Sequence, residues 1–328
     1  MTTRDGKDTQ AIAQAVEALA QGDLVGLPTE TVYGLAANAC DDAAVGRVFS
    51  LKERPANHPL IVHVAQAQDV RHFAAQASDF AQRLMQTFWP GPLTVILPRQ
   101  PQVAAAAAGH LPTVALRCPA HPVAQTLLAA CAARGMPGLA APSANRFGRV
   151  SPTQAAHVQA EFGPALLVLD GGPCAVGIES AIVDCTRGAP VLLRPGQIDG
   201  ALIEAAAGCA LRARSAADAR APGTLAAHYA PQARLRLMDA AQIRAALDVL
   251  GAGAAHIAVY ARAPVRAASR RVIVRRMPQN AAATARELFA ALREFDAAGV
   301  KLIWVEAPPP EPPWDGVRDR LARAAASA

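Results

Sequence analysis

Two cations at positions i and i+2, Lys52 and Arg54, stand in a stretch otherwise dense with hydroxyl, amide and imidazole groups. The stretch opens with PTETVYGL (28–35), which offers Thr29, Glu30, Thr31 and Tyr33. It continues through LKERPANHPLIVHV (51–64), which adds His58 and His63. Two later clusters are APSAN (141–145), followed by Ser151, and the run from DGG (170–172) through GIES (177–180) to LLRPG, which ends in Arg194-Pro-Gly. Hydroxyls and amides donate to phosphate oxygens, while Lys and Arg neutralise charge that shifts as a phosphorus–oxygen bond breaks. The set therefore suits a polyphosphate better than a neutral metabolite. The sequence contains neither G-x-x-x-x-G-K-[ST] nor a G-x-G-x-x-G after a strand, so a bound nucleotide would use another cradle.

Lysine is rare here: Lys7, Lys52 and Lys301 stand against twenty-nine arginines. Where composition has drifted to arginine for any generic positive charge, a retained lysine suggests a need for a compact ammonium rather than a planar fork. As part of a polar surface site, Lys52 should matter for turnover and little for thermal stability. Each cluster also has a plainer reading. Lys52 can be a solvated charge at a helix end, and Ser151 in SPT can be a helix N-cap. SAN and GG are common turns, His63 within LIVHV can be a satisfied core histidine, and Asp170 can simply end a strand. No G-x-S-x-G elbow surrounds Ser143 or Ser180, and no H-E-x-x-H spacing occurs, which weighs against serine and metal hydrolysis.

These groups need elements to position them. Apolar periodicity predicts helices at 11–21, 123–134 and 153–162, and one with Val45, Val48, Phe49 and Leu51 on one side. Asp41 or Asp42 can cap that last helix, which should end near 54–55. Helical material is also expected between 65 and 88. Extended segments are expected at 23–28, 60–64, 93–97, 113–116, 138–141, 166–169, 180–185 and 191–194. Buried strands interleaved with helices point to an α/β domain. Residues 211–223 lose apolar periodicity and read as a linker. A smaller α/β unit follows, with strands at 235–238, 257–260, 272–274 and 302–305 and helices at 240–250 and 284–298. The expected division is a catalytic domain over 1–208, a linker over 209–231 and a C-terminal domain over 232–328, reasonable for 328 residues.

With 52% hydrophobic and 18% charged residues the chain has a globular composition, and no apolar run approaches the ~20 residues of a membrane span. The polar start MTTRDGKDTQ lacks an apolar signal region, so a cytoplasmic protein without membrane attachment is expected. Six cysteines without a C-x-x-C pair read as buried small thiols rather than zinc ligands or disulfides. A net charge of +6 is compatible with phosphate-bearing ligands or with nucleic acid.

In this order, PTETVYGL, the K-x-R of Lys52 and Arg54, NHPLIVHV, WPGPLT, TVALRCPAHP, APSAN, SPT, DGG, GIES and LLRPG closely resemble the YrdC-like family. The match is to its longer, two-domain Sua-type threonylcarbamoyl-AMP synthases, and HYAP (228–231) resembles their interdomain junction. The resemblance implies a YrdC-like twisted-sheet catalytic domain followed by a smaller Rossmann-like α/β domain. It also implies synthesis of L-threonylcarbamoyladenylate from L-threonine, bicarbonate or CO₂ and ATP, with Mg²⁺ arriving on the ATP and pyrophosphate leaving. The product would pass to a tRNA threonylcarbamoyl transferase complex, and weak direct tRNA binding is possible.

Carried over by position, Lys52, Arg54, Ser143 and Asn145 would surround the nucleotide phosphates as the catalytic set. Thr113, Ser151 and Arg194 would make further ATP contacts, as would His58, which replaces an asparagine common in some relatives. Thr31, His63, Arg117, Ala141 and Ser180 would hold threonine, with Arg117 as a bidentate donor to its carboxylate. TLAA (224–227) stands where some members have a longer polar and aromatic run, which argues against a linker side-chain contact to ATP and leaves backbone contacts open. A carbamate decomposes in water, so a closing segment makes sense, and the Gly-Thr-Leu of the linker is the candidate. The alternative is an RNA-binding YrdC-like module without synthase activity.

Overall fold

The computed structural model describes residues 2–215, 218–219, 221–223 and 226–327. The chain forms two compact units, Met1–Phe147 with Ser151–Thr224, and Gly148–Val150 with Leu225–Ala328.

The first unit is built on ten strands: β1 (Thr3–Asp5), β2 (Val25–Leu27), β3 (Gly34–Asn38), β4 (Ile61–His63), β5 (Leu93–Pro98), β6 (Thr113–Arg117), β7 (Leu139–Ala140), β8 (Leu167–Asp170), β9 (Ala181–Asp184) and β10 (Val191–Arg194). They form one sheet in the order β1-β8-β2-β3-β7-β4-β6-β5-β9-β10. Pairing is mixed: β4 with β6 and β5 with β9 are parallel, while β5 with β6, β4 with β7 and β9 with β10 are antiparallel. The helices are α1 (Thr9–Ala20), α2 (Asp42–Lys52), α3 (Val70–Phe73), α4 (Asp79–Phe88), α5 (Pro122–Ala133), α6 (Ala155–Phe162) and α7 (Gly200–Ala207).

Local sequence accounts for the helices that matter to function. On α1, Ile12, Val16 and Leu19 recur at helical spacing on the buried side, and the Asp8 carboxylate caps its first turn. In α2 the Asp41 carboxylate accepts from Ala43 N and Ala44 N. The helix ends at Glu53, whose left-handed φ of 54° turns the chain toward Arg54.

In the strands, alternation sorts side chains onto two faces. Val62, Val95, Leu97, Val114, Leu116 and Val183 enter the main core, which also takes residues of α2 and α4. Ile61, Ile96, Ala115 and Ile182 form a small apolar cluster on the other face with Val191, Leu193 and Ala221.

Among the described residues of this unit, β1, β3 and α7 lie outside the sequence expectation. The reading of Ser151 as an N-cap is corrected, because α6 starts at Ala155 after Gln154 and no side chain caps it. The cysteines divide: Cys118, Cys131, Cys174 and Cys185 are buried, but Cys40 and Cys209 are exposed. The described part of 211–223 lies along the first unit, with Leu211 against the main core and Ala221 on the small cluster. Thr224 and Leu225, central to the proposed closing segment, lie outside the described residues.

The second unit is an all-parallel sheet of β11 (Arg234–Met238), β12 (Ile257–Ala261), β13 (Val272–Arg276) and β14 (Leu302–Glu306), in the order β11-β14-β12-β13. Its helices are α8 (Ala240–Leu250), α9 (Ala281–Ala297) and α10 (Asp315–Ala325). HYAP is part of this unit's packing: Tyr229 is buried, stacks on Phe289 at 5.6 Å and lies 5.2 Å from the Arg320 guanidinium. Among the described residues no helix is long and apolar enough to cross a membrane.

Candidate active site

Strand parity gathers the polar residues. Thr113 and Arg117 on β6, His63 on β4, Thr94 on β5 and Ser180 just before β9 share the parity of Ala115, Ile61, Ile96 and Ile182. They therefore stand on the sheet face that carries the small apolar cluster. His63 lies beside Arg117 in register. A bulge in β10 adds Arg194 to the same face: Leu192 pairs with Val183 but Arg194 pairs with Ile182, so Leu193 is the extra residue. Such a bulge re-aims the side chain that follows it. Gly196 then passes so close to β9 that a Cβ would sit 2.4 Å from Ala181 N, which only glycine accommodates.

At the carboxyl ends of β4 and β6 the network is buried and charged. Arg117 is 3% exposed. Its Nη1 donates to Thr31 Oγ1 at 2.8 Å, Nη2 to Glu30 Oε1 at 2.6 Å and Nε to the Gly91 carbonyl at 3.3 Å. Thr31 Oγ1 lies 2.9 Å from Thr29 Oγ1, which donates to the Val32 carbonyl. Ser180 Oγ is 2.7 Å from Thr94 Oγ1 and accepts from Arg194 Nη2 at 3.2 Å. Arg194 Nε reaches the Ser180 carbonyl at 3.0 Å, and Nη1 reaches that of Pro222 at 3.0 Å. Burial first, and then the Arg117 charge, push the His63 pKa down to about 3. His63 is thus a neutral imidazole at physiological pH, held against the backbone of Ile61 and Leu139. Ala141 places its side chain in the core with α1 and α5, so any ligand contact there is through backbone.

The other group gathers around the SAN turn. Lys52 is 1% exposed, and its Nζ donates to the carbonyls of Ser143, at 2.6 Å, and Asn145. This corrects both the solvated helix-end reading and the assumption of a surface site: the ammonium fastens the turn from below. Burial, followed by the Arg54 charge, pushes its pKa well below the usual lysine range. The turn is also tied to PTETVYGL, through Leu35 N to the Pro142 carbonyl and Ala144 N to the Tyr33 carbonyl. Tyr33 in turn donates to the Gly172 carbonyl at 2.8 Å, so DGG braces the same loop.

Arg54 donates to the Pro59 carbonyl at 2.9 Å, and its guanidinium lies 5.6 Å from the Phe147 ring, which His58 meets edge-on at 5.5 Å. Ser151 Oγ bonds the buried Glu179 carboxylate. Because Ile61 pairs with Ala115 in parallel, Pro59 and Thr113 mark one end of these strands and His63 and Arg117 the other. At ~3.3 Å per residue the separation is about 13 Å, enough to seat two joined ligands end to end.

The named residues therefore fall into two groups joined by an apolar floor of Ile61 and Ala115. Glu30, Thr94 and Glu179 take part without having been assigned a role from sequence. A lone threonine in the apolar run LTVIL was the available signal for Thr94. Among the described residues no three His, Cys, Asp or Glu side chains group as a metal site. The arrangement suits positioning and charge neutralisation over covalent catalysis by a side chain.

Comparison with known proteins identifies the family of both units. A Sua5/YciO/YrdC family model described as "Telomere recombination" matches residues 17–196, and one described as "Threonylcarbamoyl-AMP synthase, C-terminal domain" matches residues 195–326. The chain is 43% identical to the threonylcarbamoyl-AMP synthase of Pyrococcus abyssi over 225 residues, which span 67% of this chain and 65% of that protein. It is 36% identical to the threonylcarbamoyl-AMP synthase of Bacillus subtilis over 331 residues, covering 96% of this chain and 92% of that one. The crystal structure of P. abyssi Sua5 complexed with L-threonine matches with a TM-score of 0.87 at 35% identity, covering 96% and 94% of the two chains. E. coli YciO matches at TM-score 0.50 and 23% identity over 59% of this chain and 93% of its own, a likeness of fold.

Proposed function

The chain belongs to the Sua5/YciO/YrdC family and carries the synthase C-terminal domain, and on that premise we propose that it makes L-threonylcarbamoyladenylate from L-threonine, bicarbonate or CO₂ and ATP, releasing pyrophosphate. The observation that carries the reading is the single sheet face with two polar ends about 13 Å apart. Threonine occupies the end formed by Arg117, Thr31, His63 and Ser180, with its carboxylate on the Arg117 guanidinium. The nucleotide lies toward Arg54, Ser143 and Asn145, with Thr113, His58, Ser151 and Arg194 as further contacts. The threonine ammonium first gives up a proton to solvent, and the free amine then adds to CO₂ with loss of a second proton to form a carbamate. A carbamate oxygen then attacks the α-phosphorus in line, and pyrophosphate leaves.

Neither step uses a protein nucleophile; the residues align the reactants and neutralise charge. Lys52 acts through the SAN turn it fixes, so it is a positioning residue. Magnesium enters bound to ATP as part of the substrate. The product passes, in the cytoplasm, to a transferase that modifies tRNA. The alternative of an RNA-binding YrdC-like module loses its electrostatic support. The first unit has sixteen Lys and Arg against seventeen Asp and Glu, whereas the second has sixteen against nine. Any weak tRNA contact would accordingly be a property of the second unit.

The test is pyrophosphate release from ATP and bicarbonate with different amino acids and no tRNA. Release is expected with threonine and much less with serine or valine. Equal rates for the three would show that the amino-acid end is misassigned, and an absolute requirement for tRNA would overturn the small-molecule synthase.

A further inference from the structure

The Arg117–Glu30 pair is incomplete in a specific way. Both side chains are buried, at 4% and 10% exposure. Glu30 Oε1 accepts from Arg117 Nη2, but Glu30 Oε2 is buried and has no hydrogen-bond partner. A buried carboxylate oxygen left unpaired is unfavourable, and folded proteins satisfy nearly all such atoms. If Glu30 served merely to neutralise Arg117, a two-bond fork would use both oxygens. Instead Arg117 spends its nitrogens on three different partners: Glu30, Thr31 and Gly91. That leaves one N–H on each terminal nitrogen beside an open carboxylate oxygen. An unused donor set next to an unused acceptor is the complement of a zwitterion.

We propose that Glu30 Oε2 accepts the α-ammonium of the amino-acid substrate while Arg117 takes its carboxylate, so that the pair reads the zwitterion itself. The inference rests on the threonine reading above. Thr31, Thr94 and Ser180 are then left to sense the side chain, since their hydroxyls surround the same end of the sheet face.

Calorimetric titration of the full-length chain tests this with two ligands, threonine and 2,3-dihydroxybutanoate, in which a hydroxyl replaces the amine. Glu30→Gln keeps a carbonyl oxygen for Arg117 but removes the charge facing the ammonium. Its threonine affinity should fall about a hundredfold, the scale of a charge-assisted hydrogen bond. Its affinity for dihydroxybutanoate and for ATP should stay at the wild-type level, and Glu30→Asp should recover part of the threonine binding. Threonine bound equally by Glu30→Gln and wild type would overturn the inference and leave the synthase reading intact. So would an equal loss of both ligands, since Glu30 would then act only by holding Arg117. If the wild type binds a different α-amino acid with the same dependence on Glu30, the inference stands and the threonine assignment falls.

Discussion

Lys52→Arg is expected to lower turnover about a hundredfold and to reduce the melting temperature by several degrees, although the charge is conserved. The Nζ sits in a buried socket between the carbonyls of Ser143 and Asn145. A guanidinium is larger and planar, and forcing it into packed space costs about 1–3 kcal/mol. If it swings away, two carbonyls lose their donor at about 1–3 kcal/mol each. For a unit of this size each kcal/mol corresponds to roughly 2–4 °C. The rate effect comes through geometry, since displacing Ser143 and Asn145 by about 1 Å is enough for a hundredfold. Pyrophosphate release and a thermal melt measured on the same preparation check it. A normal melt with a depressed rate would favour a surface ammonium acting directly on phosphate, and a normal rate would remove Lys52 from the site.

The reciprocal exchange, Arg194→Lys, is expected to be as damaging for the opposite reason. Arg194 uses three nitrogens in three directions, to the Ser180 carbonyl, Ser180 Oγ and the Pro222 carbonyl. An ammonium on a shorter stem reaches one of these at a time. The loss should be about 3 kcal/mol in stability, from buried groups left without donors. Turnover should fall about a hundredfold, because Ser180 is released at the proposed threonine end and the proposed nucleotide contact is lost. Urea unfolding together with steady-state kinetics distinguishes the outcomes. Unchanged stability would show that Pro222 is not held through Arg194. Unchanged KM for both substrates would place Arg194 outside the site.

Much of this was legible in the residues, because the motifs are local and ordered. The K-x-R and S-x-N residues converge through Lys52, and His63, Arg117 and Ser180 occupy one end of one face. What escaped was non-local. TRD in β1 carries no apolar signal and becomes a strand by pairing with β8, more than 160 residues away. Ser151 has good cap chemistry, but Glu179 lies in reach and the helix waits for Ala155. Leu193 looks like any strand residue until the register shows it to be the bulge that turns Arg194. The Glu30 side chain belongs to a named motif, yet its meaning depends on Arg117 arriving from another strand. In contrast α7 was findable, since Asp199 caps its start and Gly208 its end, but its run is apolar apart from Glu204, which hides the period.

The arginine-rich composition has an experimental consequence through the burial of Lys52. Lys7 and Lys301 are exposed, so a small amine-acylating reagent reaches them in the folded chain, while Lys52 is shielded beneath the SAN turn. Lys52 becomes reactive when α2 and that turn separate, an opening whose frequency reports its free energy. With three lysines in the whole sequence, each acylation product is resolved by peptide mass. The ratio of Lys52 to Lys301 labelling is therefore an intrinsic clock for opening at the proposed nucleotide end, readable without an engineered label, and a bound nucleotide that rests on the turn should slow it.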